Sequence, residues 1–477
     1  MKKEQDIHGL EMSSELMLDL ARQAAELTVE RIKGLSKEGV WEGEFRQVLE
    51  EQWSREVPER GKSAQEVLKL VANKILPLAL RLDHPRCFGF VPSSPTWPGV
   101  LADFITAGHH VNQCTWLTSS GPSQVELIVI DWFRRWIGYP KSAGGLFTSG
   151  GSAASVDALV AAREAAGHPE RGAVYISDQG HSSLARSAMV IGIRPEGIRK
   201  VPTDRYFRLD LQALKDMVAR DRTAGLNPIA ICANAGSTST GAIDPLGEIA
   251  NYCQDEGIWF HVDAAYGGFA VIAEEGKKLL HKIEHADSIG LDAHKWFFQP
   301  YEAGCLMVKD IKTLEGPFGV RPNFLQDTVW GDKHPNFSDR GLQLSRSFRA
   351  LKVWMSVQTF GMAAFRQAIS NAMKFTAQAE QYIDKSPTLE LLTPSSLGIV
   401  CFRVNSKDSP LSEEELTELN SKVLTHIFWD GSAFLTSTTL REKFSLRLCI
   451  INHNTTWNNV RKTLQAIEKF GRESFKN

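Results

Sequence analysis

Apolar residues in the first 80 positions of the chain recur at helical spacing. Leu16, Leu20 and Val29 are among these residues, and residues 63–76 form a second run that begins with a serine placed to cap it. The pattern therefore predicts that residues 11–80 are largely helical.

The pattern changes between residues 140 and 310. Short continuous apolar runs, at 173–177, 229–233 and 258–262, end in small or polar residues, and helical stretches separate them. Runs of this kind are typical of strands in a parallel sheet that helices cover on both faces. We therefore expect a mostly parallel central sheet.

Residues 355–477 have the pattern of a separate α+β unit. A long helix is predicted to start near Arg349, alternating positions at 398–404 predict one strand, and residues 445–451 predict another. The chain is thus predicted to be an α/β protein with a mostly parallel central sheet, an N-terminal helical segment and a small C-terminal α+β domain.

Composition and charge narrow the class of protein. At 477 residues the chain is too long for one compact core, and 43% hydrophobic and 23% charged residues are ordinary for a globular protein. The net charge of −2 predicts no nucleic-acid or anionic-membrane partner, and no apolar run is long enough to span a bilayer. The seven cysteines form no C-x-x-C pair, and the polar N-terminus has no signal-peptide core. We therefore expect a cytoplasmic enzyme with reduced thiols.

The first candidate for chemistry is a glycine-rich turn. Gly150 and Gly151 follow an apolar run, and Ser152 is placed to cap the helix after them. A helix N-terminus binds phosphate readily because of its N–H groups and its dipole. Since Gly-Gly-Ser turns before helices are common, this turn alone is a weak indication of phosphate binding.

Two further groups are predicted at the ends of strands, where ligands bind in an open α/β sheet. His181 follows the run 173–177 and could stack on an aromatic ring or move protons; a hydrogen-bonded loop histidine is the alternative. Asp263 ends the run 258–262, where a largely buried carboxylate needs a partner such as a protonated pyridine nitrogen. The alternative for Asp263 is capping of the next turn.

Lys295 is followed by three aromatic residues and so is not expected on a solvated face. Burial lowers the pKa of a lysine, and the neutral amine is then a nucleophile toward an aldehyde. A lysine whose stem only covers apolar surface is the alternative. The order of the glycine turn, His181, Asp263 and Lys295 matches the large domain of fold-type I enzymes that use pyridoxal 5′-phosphate (PLP), the aspartate-aminotransferase-like fold.

The chain resembles the group II PLP-dependent amino-acid decarboxylases, which include the aromatic-L-amino-acid type. His-Val-Asp-Ala-Ala-Tyr-Gly-Gly at 261–268 and Asp-Ala-His-Lys-Trp at 292–296 carry the resemblance, with further likeness at 84–90 and 347–354. The resemblance implies that an aromatic L-amino acid loses CO2 and gives the amine, through a Schiff base on Lys295.

The same resemblance implies roles for individual residues. Lys295 would hold PLP, Asp263 would pair with the pyridine nitrogen, and His181 would stack on the ring and orient the substrate carboxylate. The remaining positions are Gly151, Ser152 and His294 at the phosphate, Thr238 and Ala265 at the ring, and Phe90, Val91, Pro92 and Ser93 in the substrate pocket. This pocket segment is apolar and has no matching arginine, which favours an aromatic substrate over an acidic one; no metal is implied.

Two positions depart from the family. The proton-donating tyrosine of the family's mobile loop corresponds to Phe324 in the substrate pocket, and phenylalanine has no hydroxyl. In related plant enzymes this difference accompanies aldehyde synthases, which decarboxylate the substrate and then oxidatively deaminate it with O2. The alternative product is therefore an aromatic aldehyde, formed together with ammonia and hydrogen peroxide. Asp292 stands where several relatives have asparagine near the phosphate. Because two anions repel each other, we expect the Asp292 carboxylate to point elsewhere.

Two other classes of function stay open. A PLP aminotransferase or lyase on the same fold is disfavoured by the Ala-His-Lys-Trp context of Lys295. A protein that has kept the fold but lost catalysis is disfavoured by the intact Lys295, Asp263 and His181.

The resemblance also implies the organisation of the chain. Residues 1–85 would form a helical dimerisation segment, 86–355 the PLP-binding large domain and 356–477 the small domain, in a homodimer with active sites at the subunit interface. Leu16 and Ile32 in the N-terminal helices fit an interface, although a core within one chain would use the same pattern.

Overall fold

A seven-stranded sheet forms the centre of the computed structural model, which describes residues 7–53, 56–319, 334–405 and 411–474. Its strands are β3 (Gly144–Thr148), β4 (Gly172–Ser177), β5 (Ile198–Val201), β6 (Asn227–Asn234), β7 (Trp259–Asp263), β8 (Ser288–Asp292) and β9 (Gly304–Val308). Their order is β3-β9-β8-β7-β6-β4-β5, and β9 alone among these seven runs in the direction opposite to the other strands. The predicted mostly parallel sheet is confirmed, and the three predicted strands correspond to β4, β6 and β7.

Helices cover both faces of this sheet. Ala173 and Tyr175 of β4 pack into one hydrophobic cluster, whereas Val174 and Ile176 pack into another. Because successive side chains of a strand point to opposite faces, both faces are buried, as the continuous apolar runs predict. The helices of this region are α4 (Trp97–Gly108), α5 (Trp116–Ile137), α6 (Gly151–Ala165), α7 (Ser182–Val190), α8 (Leu211–Thr223), α9 (Leu246–Glu256), α10 (Glu274–Leu279) and α11 (Lys312–Phe318).

The N-terminal part of the chain is largely helical, as predicted. Of the residues described in its three α-helices, none is buried against the rest of this chain. Their apolar side chains therefore need cover from outside the chain or stay in contact with water. The elements are β1 (Ile7–His8), β2 (Glu11–Met12), α1 (Ser14–Gly34), α2 (Arg46–Gln52) and α3 (Ala64–Leu70).

The C-terminal part forms a second, antiparallel sheet in the order β10-β11-β13-β12. The predicted helix near Arg349 and the predicted strands at 398–404 and 445–451 correspond to α12, β11 and β13. The domain boundary after residue 355 stays a prediction, and α12 continues across it. The elements are α12 (Ala350–Lys385), β10 (Leu389–Ser396), β11 (Ile399–Val404), α13 (Glu413–Trp429), β12 (Thr436–Leu440), β13 (Lys443–Cys449) and α14 (Trp457–Ser474).

The sheet topology decides where polar groups meet. The parallel strands β6, β7 and β8 end at Asn234, Asp263 and Asp292, and these three residues lie at one edge of the sheet. None of the helices in the described ranges combines the length and apolar character that a membrane span requires.

Candidate active site

A cavity of about 370 Å³ opens at the carboxyl ends of β6, β7 and β8. This is the edge at which ligands bind in open α/β sheets. Residues from five separate chain segments meet there, although up to 153 positions separate them in sequence. Eight of the predicted site residues line this cavity: Gly151, Ser152, His181, Thr238, Asp263, Ala265, His294 and Lys295.

Glycines shape one end of the cavity. A Cβ atom on Gly304 of β9 would lie 2.4 Å from the Cα of Gly150, and one on Gly151 would lie 2.9 Å from the Cβ of Ala265. Gly150 is the N-cap of α6 and Ser152 lies inside the first turn, so the prediction that Ser152 caps this helix is wrong. Because the glycine has no side chain to accept a hydrogen bond, the first turn of α6 can offer its N–H groups to an anion in the cavity.

His181 lies where α7 begins and also lines the cavity. Its Nδ1 accepts a hydrogen bond from the backbone N–H of Ser183 at 3.3 Å and lies 2.8 Å from the hydroxyl of the same residue. The alternative interpretation as a hydrogen-bonded loop histidine is therefore correct, and it is compatible with a role in the cavity. Because Nδ1 is an acceptor, the proton of the neutral ring lies on Nε2.

Asp263 ends β7 and faces the cavity, where it is half-buried and not largely buried as expected. The open cavity accounts for its remaining exposure. One carboxylate oxygen accepts the N–H of Ala265 at 3.1 Å, so the aspartate does cap the following turn. That hydrogen bond fixes the carboxylate in an orientation from which it can pair with a positively charged ligand atom.

Lys295 and Asp292 form an ion pair at the base of the cavity. The Lys295 Nζ atom lies 2.9 Å from Oδ2 of Asp292. Burial lowers the pKa of Lys295, but the carboxylates of Asp292 and Asp263 raise it more, and the pKa lies above its ordinary value. The predicted lowering is therefore wrong, and so is the expectation that Asp292 points elsewhere. Attraction to the Lys295 ammonium holds this carboxylate in the cavity.

The neighbours of Lys295 in sequence keep it in place. Trp296 and Phe297 are fully buried, and Trp296 stacks on Tyr266 with 5.5 Å between ring centroids. His294 accepts the N–H of Ala303 on Nδ1 at 3.1 Å, and burial lowers its pKa. The neutral His294 ring therefore carries its proton on Nε2 and can donate it to an anion in the cavity.

The predicted substrate segment does not line this cavity. Phe90 is 57% exposed, but its carbonyl accepts a hydrogen bond from Nη1 of buried Arg447 at 2.6 Å. The Nε atom of Arg447 donates to the carbonyl of Thr238 at 2.8 Å, so one guanidinium links the segment 90–93 to the cavity wall. Phe324 lies outside the described residues.

Sequence reasoning missed two residues that organise the site, Asn234 and Arg447, and predicted the wrong orientation for a third, Asp292. Asn234 ends β6 and donates from its amide to buried Asp244 at 3.0 Å, and Asp292 and Arg447 act as described above. Asn234 could have been found, because a polar residue that ends an apolar run is the same signal that identified Asp263. The contact between Arg447 and Thr238 has no local signal in the sequence.

The fold and the cavity together define a fold-type I PLP enzyme. The glycine-lined N-terminus of α6 fits the phosphate, Asp263 fits the pyridine nitrogen and Lys295 fits the aldehyde. The absence of a side chain at Gly151 keeps this end of the cavity open, because a Cβ atom there would meet Ala265 and Asp292, and the absence of one at Gly304 lets β9 pack closely against Gly150.

Comparison with known proteins gives the same class. The model of the pyridoxal-dependent decarboxylase conserved domain matches residues 47–405. An aromatic-L-amino-acid decarboxylase of Bacillus atrophaeus is 38% identical, covering 98% of this chain and 97% of that protein. A phenylacetaldehyde synthase of Arabidopsis thaliana is 32% identical, covering 86% of this chain and 87% of that protein. The crystal structure of Oryza sativa TDC with PLP and tryptamine superposes with a TM-score of 0.93 at 26% identity, covering 98% and 99% of the two chains.

The chain belongs to the pyridoxal-dependent decarboxylase family. It is a PLP-dependent carboxy-lyase with the fold-type I architecture.

Proposed function

We propose that this enzyme decarboxylates an aromatic L-amino acid of the Trp, Tyr, Phe or Dopa class to the corresponding amine. The observation that carries the proposal is the meeting of Lys295, Asp263 and the glycine turn in one cavity. The substrate class is supported by the Bacillus relative, whose likeness extends over nearly the whole of both chains.

Each residue of the cavity has a separate proposed role. Lys295 would hold the cofactor covalently, and Asp263 would keep the pyridine nitrogen protonated by pairing with it. PLP, when bound, supplies an electron sink for the electron pair that CO2 leaves on the substrate Cα. His181, which lines the cavity, would stack on the ring and direct the substrate carboxylate. Ala265 and Thr238 would also contact the ring, and Gly151, Ser152 and His294 would hold the phosphate.

The substrate side chain would be held by the segment Phe90, Val91, Pro92 and Ser93 together with Phe324. Arg447 supports this assignment because it fixes the backbone of Phe90 relative to Thr238 in the cavity. An apolar segment held in this way suits an aromatic ring, which gains free energy when it leaves water.

The enzyme is proposed to act as a cytoplasmic homodimer with its sites at the subunit interface. Exposed apolar side chains on α4 and α12 support an interface, among them Phe104 at 63% and Phe360 at 49% exposure. All seven cysteines are free, which suits a reducing compartment. The three-part division at residues 85 and 355 belongs to the same proposal.

Product analysis tests the proposed reaction. The purified enzyme is supplied with PLP and with Trp, Tyr, Phe or Dopa, and CO2, amine, aldehyde and hydrogen peroxide are measured together. We expect one amine per CO2 with at least one of the four substrates. About one peroxide per CO2 with aldehyde in place of amine would identify the alternative chemistry at Phe324, and CO2 release from none of them would refute the proposed substrate class.

A further inference from the structure

Asp292 lies where the anionic end of the cofactor is expected. A Cβ atom on Gly151, in the first turn of α6, would be 3.2 Å from Oδ2 of Asp292. Asp292 is 2% exposed, and its Oδ1 atom has no hydrogen-bond partner among the described residues. The carboxylate thus occupies the glycine-lined end of the cavity itself.

The ion pair between Asp292 and Lys295 leaves no net positive charge to neutralise a second anion, such as a phosphate, at this position. Its partners are Lys295 at 2.9 Å and the Nε2 atom of His294 at 3.6 Å, and burial keeps the His294 ring neutral by lowering its pKa. Lys295 is the group that binds the cofactor covalently, so its ammonium is not kept for Asp292 alone. A phosphate monoester carries nearly two negative charges at neutral pH and would add them beside the buried carboxylate.

We propose that Asp292 and the phosphate of the cofactor share one proton, so that loading of the cofactor takes up a proton from solvent. A proton between a carboxylate and a phosphate oxygen removes one charge and gives the unpaired Oδ1 atom a hydrogen bond. Cofactor retention then weakens as the pH rises. The inference rests on the proposed assignment of this cavity as the cofactor site.

Other groups that titrate near Asp292 do not supply the same proton. Cys305 is neutral because burial raises the pKa of its thiol, and partial loss of water around the Tyr301 hydroxyl raises the pKa of that group as well. Asp263 and His181 belong to the ring end of the proposed site. Lys295 cannot take up this proton because it is already an ammonium, with a pKa above its ordinary value. Pyridoxine 5′-phosphate has an alcohol where PLP has the aldehyde, so it forms no imine with Lys295 and releases no proton from it.

Calorimetry in two buffers of different ionisation enthalpy measures the proton uptake directly. At about pH 8, where a phosphate monoester is a dianion, wild-type apoenzyme should take up close to one proton per pyridoxine 5′-phosphate bound. Asp292→Asn should take up close to none and should bind this ligand about tenfold more tightly, because one like charge is gone. Unphosphorylated pyridoxine should bind both proteins with affinities within about twofold of each other.

Glu302 provides a matched control. It lines the same cavity but is 58% exposed and pairs with Arg349 at 3.4 Å, so Glu302→Gln should leave the proton uptake unchanged. Asp292→Ser replaces Asp292→Asn if the amide variant does not fold by circular dichroism. Binding of pyridoxine 5′-phosphate without proton uptake, or equal uptake by wild type and Asp292→Asn, would overturn the inference alone. Failure of wild type to bind either PLP or pyridoxine 5′-phosphate would overturn the assignment of the cavity.

Discussion

Single atoms decide the shape of the phosphate end of the cavity, and Gly304 is the most sensitive position. A methyl group there would come within 2.4–2.7 Å of three backbone atoms of Gly150. We expect Gly304→Ala to displace the turn before α6 and to weaken PLP binding by about tenfold or more, since backbone atoms cannot move aside as a flexible side chain can.

Fluorescence titration of the apoenzyme with PLP checks this prediction. Gly316→Ala on α11 is the control, because nothing lies within 4 Å of a Cβ atom at that position. Equal PLP affinities for the two variants would show that the turn does not bind the phosphate.

Asp157 on α6 makes stability depend on pH. Burial raises the pKa of this carboxyl to about 7, although its Oδ1 accepts the N–H of Leu342 at 3.2 Å and Arg346 lies near. Between pH 5 and the folded-state pKa the native protein keeps a proton that the unfolded chain has lost, so stability falls as the pH rises. The loss between about pH 5 and pH 8 should be roughly 2–3 kcal/mol, at 1.36 kcal/mol for each pH unit.

Urea unfolding of wild type and Asp157→Asn at several pH values measures this loss. The amide does not titrate, so the difference in free energy of unfolding between the two proteins should move in favour of Asp157→Asn as the pH rises. A difference that is constant over this range would show that Asp157 is not the group responsible.

Individual site residues could be predicted where their neighbours in the sequence are enough to place them in the site. Asp263 and Lys295 are marked by the apolar residues beside them, and both line the cavity. The orientation of Asp292 was predicted wrongly, because it depends on the position of the Lys295 ammonium, which only the folded turn fixes. The N-cap of α6 was predicted at Ser152 but lies at Gly150, which packs closely against Gly304 of β9.

At the level of elements, one buried ion pair joins α5, β3 and the segment before α12. Arg346 and Glu126 are fully buried and 2.7 Å apart, and Arg346 also donates to the carbonyl of Phe147, three residues before Gly150. Glu126→Gln leaves the guanidinium buried without its counter-charge. The free energy of unfolding should fall by about 3 kcal/mol or more.

Chemical denaturation of matched variants tests this pair. Asp131→Asn also breaks ion pairs of α5, with Arg134 and Arg135, but the Asp131 carboxylate is 36% exposed and its loss should cost less than about 1 kcal/mol. Equal destabilisation by the two substitutions would contradict the structural role of the buried pair.

The elements themselves were largely predictable. The continuous apolar runs identified β4, β6 and β7, because a strand that is buried on both faces carries apolar side chains at successive positions. The antiparallel direction of β9 was not predicted, since neighbours in the sheet are set by packing of distant segments. The alternation at 398–404 identified a strand, but the order β10-β11-β13-β12 needed the structure.

At the scale of the whole molecule, the proposed homodimer depends on the apolar surface that α4 and α12 expose. Phe104 is 63% exposed and Ile105 is 42% exposed, on a helix that packs on α12. A charge placed in a buried interface is costly, so Phe104→Asp should shift the protein from dimer to monomer in sedimentation velocity at micromolar concentration.

Leu279→Asp on α10 is the control for this shift, because Leu279 is 48% exposed but lies outside α4 and α12, the two helices of the proposed interface. A dimer that persists in Phe104→Asp, or a wild-type monomer, would contradict the proposed interface. The sequence offered only the apolar pattern of the N-terminal helices here, and that pattern does not distinguish an interface from a core.

The most direct test of the whole account locates the cofactor on the chain. Wild-type enzyme loaded with PLP is reduced with borohydride, which fixes an imine as a stable amine, and is then digested and analysed by mass spectrometry. We expect about one pyridoxyl group per chain, on the peptide that contains Lys295, and no such group at this position in Lys295→Ala. Labelling mainly at another lysine, or equal labelling of Lys295→Ala, would contradict the assignment of the cavity and of its lysine.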